Sequence, residues 1–208
     1  MVAGLHAPTS STAVLVPVKS FGAAKQRLAA HRDPMARRAL AQAMAATVLE
    51  AAQPLPTAVV CDDDEVRAWA EQHGAEAIWT PGLGLNGAVE AGVAHLAMRG
   101  VGRVLVAHAD LPLAADLAWL AGFDGVTLVP DRHGLGTNVA GVPAGAGFRF
   151  AYGRGSFAAH RAEAARLGLT VRLVPDERLG WDVDEPADLQ APAHLDPPGY
   201  LSEPAPCP

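Results

Sequence analysis

Lysine is scarce in this chain of 208 residues: of its 16 basic residues only two, Lys19 and Lys25, are lysines. The formal net charge is −6, and the sequence contains no run of basic residues. Nucleic-acid binding depends on clustered Lys and Arg that neutralise phosphates, so this composition argues against a nucleic-acid partner. A chain of this length suits one domain and can bury an ordinary core without disulfides or metals.

The sequence also lacks a long hydrophobic run and a pair of cysteines suited to a disulfide. No apolar run approaches the roughly 20 residues that span a bilayer. Residues 1–10 contain no Lys or Arg and no apolar stretch typical of a signal, so we expect no export and a cytoplasmic location. Cys61 and Cys207 are far apart, and Cys207 lies among prolines. We therefore expect a buried Cys61 and no structural disulfide.

Hydrophobic patterning predicts strands that alternate with helices. Strands are predicted over residues 13–18, 57–61, 76–79, 103–108, 125–130, 137–142 and 169–174. Helices are predicted over residues 35–52, 86–98, 113–120 and 156–167, and one more helix runs from a cap at Asp63 to about residue 73. Asp33 is the predicted cap of the first of these helices. This alternation favours an α/β fold with three layers, α/β/α, around a mostly parallel sheet.

Four details of this fold are also predicted. The strand at Thr137 is expected to pair antiparallel with a neighbour, and Pro17 indicates that the first strand lies near an edge or ends early. Trp69, Trp79 and Trp119 are expected in the core. We place one domain at residues 1–191, followed by a Pro-rich tail at 192–208 that is flexible or lies along the surface.

The first candidate site is the segment after the first predicted strand, since open α/β sheets bind ligands beyond the carboxyl ends of their strands. Lys19, Lys25 and Arg27 lie within nine residues there, and the small residues 22–24 would let backbone N–H groups approach a polyphosphate. The spacing is not that of a Walker A motif. These charges could instead be ordinary solvated ones. The presence of both lysines here favours a phosphate site, because ammonium and guanidinium groups bind phosphate differently.

The second candidate site is a set of three aspartates. Asp110 directly follows a predicted buried strand, and Asp182 and Asp184 alternate along an extended segment, which places their carboxylates on one face. Gathered carboxylates repel one another unless a cation is present, so a Mg²⁺ site is predicted. The alternative is that Asp110 and Asp184 are helix caps.

Five segments together resemble one enzyme family. They are VPVKSFGAAKQRLA from residue 16, the Leu85-Asn86 pair, ADLP at 109–112, DRHGLGTN at 131–138 and WDVDEPADL at 181–189. These segments occur in the order found in the 2-phospho-L-lactate or phosphoenolpyruvate guanylyltransferases of coenzyme F-420 biosynthesis. The chain resembles that family over roughly residues 12–190. The resemblance implies a glycosyltransferase-A-like nucleotidyltransferase of the nucleotide-diphospho-sugar transferase type, which uses GTP and Mg²⁺.

The resemblance also implies roles for individual residues. Two Mg²⁺ ions would be held by Asp110, Asp182 and Asp184. Asp110 would also act in catalysis, together with the basic residues Lys19, Lys25 and Arg27. Lys19, Lys25 and Arg27 would hold the triphosphate and the leaving pyrophosphate. The acceptor acid would contact Thr137, Gly153 and Ser156, and Asn86 would contact the ribose or base of GTP.

The chain departs from the family pattern at two places, of which the first is mild and the second leaves the acceptor open. Ala109 stands where members often have Gly, and the segment between Asn138 and Gly153 looks altered in length. Phosphoenolpyruvate, 2-phospho-L-lactate and 3-phosphoglycerate all stay candidates. The alternative functions are nucleotidyl transfer to a molybdopterin or a sugar phosphate, and a catalytically silent nucleotide-binding module. The expected partners are small-molecule substrates. The one protein partner suggested is a downstream transferase of the pathway.

Overall fold

The computed structural model describes residues 11–202. The expectations for residues 1–10 and for Cys207 lie outside that range. Cys61 is buried and unpaired in the described part of the chain, as expected for a small apolar side chain. No helix between residues 11 and 202 is long and apolar enough to cross a membrane.

One sheet of seven strands runs through residues 11–202. The strands are β1 (Thr12–Pro17), β2 (Thr57–Cys61), β3 (Glu76–Trp79), β4 (Arg103–Ala107), β5 (Val126–Pro130), β6 (Thr137–Pro143) and β7 (Val171–Leu173). Their order is β3-β2-β1-β4-β6-β5-β7, and only β6 among them runs antiparallel to its neighbours. The mostly parallel sheet and the antiparallel strand at Thr137 are confirmed. β1 is an inner strand, so the edge position suggested by Pro17 is wrong, and Pro17 instead ends the strand.

Four α-helices cover the two faces of this sheet in the described range. They are α1 (Pro34–Ala51), α2 (Asp64–Gln72), α3 (Gly84–Met98) and α4 (Ser156–Arg166). Successive residues of β1 alternate between the faces, because side chains of a strand point to opposite sides. Val14 and Val16 pack with side chains of α1 and α2, whereas Ala13 and Leu15 pack with those of α3 and α4. The predicted α/β/α layering is confirmed.

Two helix starts follow from the capping residues predicted for them. Asp33 Oδ1 accepts a hydrogen bond from the backbone N–H of Ala36 at 2.8 Å. Asp63 Oδ1 accepts from Glu65 at 2.9 Å and from Val66 at 3.2 Å. Each carboxylate satisfies a backbone donor that the first helical turn leaves without a partner. Both caps are confirmed.

The helix predicted over residues 113–120 is wrong. A short 3-10 turn at Ala118–Ala121 is the helical structure found there. The backbone of Asp116 has a φ of 43°, a left-handed conformation that interrupts a right-handed helix. Leu117 and Leu120 are nevertheless fully buried. The apolar pattern therefore reflects the core packing of an irregular segment.

The tryptophan predictions are only partly confirmed. Trp69 is buried, whereas Trp79 and Trp119 are 43% and 47% exposed. The guanidinium groups of Arg67 and Arg172 lie 5.0 Å and 5.6 Å from the ring centroids of Trp79 and Trp119. Each of these rings therefore packs against a cation at the surface rather than inside the core.

The C-terminal segment 192–202 packs along the surface of the domain in two 3-10 turns. Leu201 is 2% exposed. Its apolar contacts form a small group, here named the C-terminal cluster, of Leu28, Leu40, Met44, Val183 and Leu201. The hydroxyl groups of Tyr200 and Thr47 are 3.0 Å apart and add a polar contact. The domain boundary at residue 191 stays a prediction.

Candidate active site

A cleft of about 580 Å³ opens at the carboxyl ends of the parallel strands. Its walls come from the loop after β1, the end of β2, the loop before α3 and the segment after β4. Its charged lining residues are Lys19, Lys25, Asp62 and Asp110. Open α/β sheets bind ligands at this place, and the volume suits a nucleotide-sized molecule.

Lys25 connects the cationic loop to the predicted aspartate set. Its ammonium nitrogen lies 2.6 Å from Asp110 Oδ2 and 3.3 Å from Asp184 Oδ1. Arg27 Nη1 lies 3.8 Å from Asp184 Oδ2, and Arg27 itself is exposed. Lys19 is exposed on the cleft wall. The structure therefore brings two of the three predicted cations against two of the three predicted aspartates.

Burial and charge act in opposite directions on this contact. Burial disfavours the charged ammonium of Lys25, but the carboxylates of Asp110 and Asp184 outweigh it, so the pKa of Lys25 lies above its ordinary value. Burial likewise disfavours the charged carboxylate of Asp110, but Lys25 outweighs it, and the pKa of Asp110 lies below its ordinary value. Both groups are therefore charged near neutral pH.

The segment that carries Asp182 and Asp184 is held against the end of β4. The backbone N–H of Val183 donates to the carbonyl oxygen of Asp110 at 3.2 Å. Burial raises the pKa of Asp182, and the negative charges of Asp110 and Asp184 raise it further. The three predicted aspartates thus share one site. In residues 11–202, however, no group of three or more His, Cys, Asp or Glu side chains has the spacing of a metal site.

The alternative that these aspartates are helix caps is wrong for both Asp110 and Asp184. No helix begins directly after Asp110, because the next helical element along the described chain is the 3-10 turn Ala118–Ala121, whose cap is Leu117. The 3-10 turn Pro186–Leu189 is capped by Glu185, not by Asp184. The side chain of Asp184 is 52% exposed and contacts Lys25 and Arg27. Asp184 therefore takes part in ion pairs with basic side chains instead of capping a helix.

Arg132 and Asp188 support this segment and were not singled out from the sequence. The carboxylate of Asp188 accepts from the backbone N–H of Asp184 at 2.8 Å and of Glu185 at 2.7 Å, and also from the guanidinium of Arg132. Arg132 donates to the carbonyl oxygen of Asp182 at 2.8 Å. Both residues lie within quoted motifs, DRHGLGTN and WDVDEPADL. Nothing in the spacing of the two motifs indicates that they meet.

The predicted acceptor residues lie on connected segments. Thr137 begins β6, Ser156 begins α4, and the Ser156 N–H donates to the carbonyl oxygen of Gly153 at 3.1 Å. The backbone of Gly153 has a φ of 132°, which side-chain-bearing residues rarely adopt. His160 Nδ1 lies 3.0 Å from Thr137 Oγ1 and so joins α4 to β6. His160 is a further residue that sequence reasoning did not single out.

Asn86 bonds to the polypeptide backbone near this region. Its Oδ1 accepts from the N–H of Tyr152 at 2.7 Å, and its Nδ2 donates to the carbonyl oxygen of the same residue at 3.4 Å. The Tyr152 ring centroid lies 4.7 Å from that of His108, which lines the cleft. Asn86 therefore anchors the segment that connects the acceptor residues to the cleft, and its contact with a nucleotide stays a prediction.

Two solved transferase structures share this fold. A protein from Desulfovibrio desulfuricans G20 described as a nucleotide-diphospho-sugar transferase superposes with a TM-score of 0.70 at 20% identity, covering 86% of this chain and 85% of that one. A nucleotidyl transferase from Methanothermobacter gives a TM-score of 0.59 at 16% identity, over 89% of this chain and 97% of the other. The predicted fold type is confirmed, and the chain has the architecture of a nucleotidyltransferase.

Sequence comparison identifies the family. The model of the guanylyl transferase CofC like family matches residues 12–192, and the chain belongs to that family. The phosphoenolpyruvate guanylyltransferase of Sphaerobacter thermophilus is 38% identical over 189 residues, which cover 86% of this chain and 91% of the relative. The 2-phospho-L-lactate guanylyltransferase of Halorubrum lacusprofundi is also 38% identical, over 85% of this chain and 81% of the relative. The protein is an enzyme of the nucleotidyltransferase type, as the sequence resemblance implied.

Proposed function

We propose that this protein transfers GMP from GTP to the phosphate of phosphoenolpyruvate, with release of pyrophosphate, as a step of coenzyme F-420 biosynthesis. The family supports guanylyl transfer, and relatives named for phosphoenolpyruvate and for 2-phospho-L-lactate both match most of the chain. Phosphoenolpyruvate is the first choice because, at the same 38% identity, the match covers 91% of the Sphaerobacter relative, which carries its name, and 81% of the Halorubrum relative. 2-Phospho-L-lactate is the second acceptor to test.

The contact of Lys25 with Asp110 and Asp184 carries this proposal. It joins a cation from the loop after β1 to carboxylates from two distant parts of the chain, at the cleft where α/β sheets bind nucleotides. Transfer between two phosphates brings anions together, so the site must supply positive charge and alignment rather than a covalent nucleophile. Lys19, Lys25 and Arg27 supply that charge for the triphosphate and for the departing pyrophosphate.

The aspartates fit the Mg²⁺ that the family implies. Asp110 Oδ1 is buried and has no hydrogen-bond partner among the described residues, which is costly for a carboxylate oxygen. Burial, followed by the negative charges of Asp110 and Asp184, raises the pKa of Asp182, and a bound cation would favour its charged form. Oxygen donors are the ligands Mg²⁺ prefers. Asp110, Asp182 and Asp184 would hold the metal, expected as two ions, which would neutralise charge on the reacting phosphates.

The reaction is a single in-line displacement at the α-phosphorus of GTP. An oxygen of the acceptor's phosphate forms the new P–O bond, and the bond from the α-phosphorus to the bridging oxygen of pyrophosphate breaks and leaves its electron pair on pyrophosphate. The acceptor would be held by Thr137, Ser156 and the backbone at Gly153, whose hydroxyl and N–H groups suit carboxylate and phosphate oxygens. Thr137 and Ser156 are each 2% exposed, and none of the three residues is part of the cleft lining described above. Asn86 would contact the ribose or the base of GTP.

Pyrophosphate release tests the proposal directly. The purified protein is incubated with GTP, Mg²⁺ and, in separate reactions, phosphoenolpyruvate, 2-phospho-L-lactate, 3-phosphoglycerate, a sugar phosphate and a molybdopterin. We expect pyrophosphate and a guanylylated product of matching mass with one three-carbon acid above all others. Absence of pyrophosphate with every phosphorylated three-carbon acid contradicts the proposal.

A matched pair of variants assigns the activity to the site. Asp110→Asn removes the charge that Lys25 contacts and should lower kcat by about a thousandfold, while GTP binding is largely retained. Asp116→Asn is the control, since Asp116 is exposed and its left-handed backbone suits Asn equally well. Equal activity of the two variants would remove Asp110 from the mechanism, and a protein that binds GTP without turnover in any variant would be a silent binding module.

The product constrains the next step of the pathway. A guanylylated acid carries a phosphoanhydride, so a downstream transferase that displaces GMP must consume it, and we propose such an enzyme as the partner in the pathway. GTP and phosphorylated three-carbon acids are cytoplasmic metabolites, which supports the location expected from the sequence.

A further inference from the structure

His160 is a fully buried histidine whose two ring nitrogens both have polar partners. The backbone N–H of Ala151 points at Nε2, with a distance of 3.0 Å between the nitrogens. Nδ1 lies 3.0 Å from the hydroxyl oxygen of Thr137. The ring thus connects the middle of α4 to the first residue of β6 and to the segment before Gly153. All three segments carry a predicted acceptor residue.

The Ala151 contact decides which nitrogen of His160 carries the proton. A backbone N–H only donates, so Nε2 must be unprotonated to accept its hydrogen bond. A neutral imidazole then has its proton on Nδ1, which donates to Thr137 Oγ1. The pKa of His160 lies at about 4, mainly because of burial; the neighbouring His108 also contributes to this lowering, and Glu163 on the same helix acts in the opposite direction. The ring is therefore neutral at physiological pH.

The surroundings of His160 leave few other partners for the ring. The ring centroids of Phe148, Phe150 and Tyr152 lie 5.8, 5.9 and 4.8 Å from that of His160. The rings of Phe148 and Phe150 carry no hydrogen-bonding group, and the Tyr152 hydroxyl makes no hydrogen bond with any described residue, so the two polar contacts fix the orientation of the imidazole.

This arrangement also fixes the role of the Thr137 hydroxyl. Because Oγ1 accepts a hydrogen bond from His160, its own hydrogen is free to point at another acceptor. An acid that carries carboxylate and phosphate groups has only acceptors to offer, so it needs a donor at this position. We infer that His160 is a positioning residue that keeps Thr137 as a hydrogen-bond donor to the acceptor acid and holds the segment leading to Gly153. This inference rests on the proposed function.

Two substitutions separate the two bonds of the ring. In His160→Asn the side-chain amide reaches the place of Nδ1 and can still donate to Thr137. In His160→Gln the longer amide reaches the place of Nε2 and can accept from Ala151 but leaves Thr137 without its donor. We expect His160→Gln to raise the KM for the acceptor acid about tenfold with the KM for GTP unchanged, and His160→Asn to restore most of the loss.

Stability is measured beside the kinetics because both variants open space in the core. A merely structural role predicts that the KM for the acid follows the loss in thermal midpoint, whichever amide is present. The control is His95→Gln, since His95 lies on α3 and bonds to Glu76 of β3 rather than to a predicted site residue. In a Thr137→Val background the effect of His160→Gln on the acid KM should disappear.

Two outcomes would overturn the inference. One is an unchanged acid KM in His160→Gln, and the other is a rise that His160→Asn shows equally. Nitrogen-15 NMR of the imidazole gives a readout that needs no turnover: we expect the Nδ1–H tautomer, and an Nε2–H signal contradicts the model. If the wild-type protein transfers GMP to no acid, the proposed function is wrong. If the wild-type protein turns over normally but His160→Gln leaves the KM for the acid unchanged, only this inference is wrong.

Discussion

The ammonium nitrogen of Lys25 lies 2.6 Å from Asp110 Oδ2, across 85 positions of sequence. The contact joins the loop after β1 to the segment that follows β4, and those two strands are neighbours in the sheet. The side chain of Lys25 is only 10% exposed, so the pair is well shielded from solvent. One compact cation thereby contacts two carboxylates beside the space in which a triphosphate would lie.

Replacement of Lys25 by Arg should therefore be harmful although the charge is kept. A planar guanidinium is larger than an ammonium and does not fit between Asp110 and Asp184 without moving one of them. We expect Lys25→Arg to lower kcat/KM for GTP by about 100-fold, measured by pyrophosphate release. The control is Arg38→Lys, an exchange in an exposed ion pair with Glu65. Similar activity of both variants would show that only net charge matters at Lys25.

Substitution of Asp188 should disturb the aspartate segment without touching substrate. Its carboxylate accepts hydrogen bonds from two backbone N–H groups and from Arg132, and an amide cannot replace all three. We expect Asp188→Asn to lower kcat about tenfold or more and to raise the Mg²⁺ concentration needed for half-maximal rate. Asp196→Asn, at an exposed left-handed position, is the control. An unchanged Mg²⁺ requirement would contradict the positioning role.

The parts of this site that the sequence predicts are those that follow from local pattern. β2 and β3 were placed at their observed bounds, because short apolar runs between turn residues mark strands reliably. Asp110, Asp182 and Asp184 could be grouped because each follows or lies in an extended segment near a strand end. The predicted helix over residues 113–120 failed because the left-handed backbone at Asp116 has no sequence signal of its own.

The contacts that support the site could not be predicted in the same way. Arg132 meets Asp188, and His160 meets Thr137, only after β6 has turned antiparallel and brought its ends beside α4 and the C-terminal segment. Such pairs are set by tertiary packing over separations of 56 and 23 residues, which no single-sequence pattern encodes. Only the tertiary structure brings these polar side chains into contact.

Removal of the C-terminal segment should weaken both folding and activity. Leu201 packs in the C-terminal cluster with Val183, which lies between Asp182 and Asp184. Truncation after Gln190 exposes that cluster, and we expect the free energy of unfolding to fall by about 2–4 kcal/mol and kcat to fall with it. The measurements are urea unfolding and pyrophosphate release. Truncation after Ser202 is the control, because it keeps every contact described for Leu201, and equal behaviour of the two proteins would refute the supporting role.

Mild acid should destabilise the protein through His160. The pKa of its ring lies at about 4 in the folded state against an ordinary value of 6.5, mainly because of burial. Above pH 6.5 the ring is neutral in both states and its contribution is complete, whereas between 6.5 and about 4 the unfolded chain binds a proton that the folded one does not. Stability therefore falls as the pH falls through this window.

The size of this effect can be measured against a variant that lacks the titrating ring. At pH 5 the expected loss is about 2 kcal/mol relative to pH 7.5, and His160→Asn should lose less by that amount. Two other groups with shifted pKa values do not confuse the comparison: the pKa of Glu163 is lowered to about 2 by its hydrogen bond from Arg166, and that of Asp110 also lies below its ordinary range. Urea unfolding of both proteins at the two pH values gives the difference. Parallel losses in the wild type and the variant would mean that other residues cause the acid sensitivity and that His160 can be protonated without leaving its site.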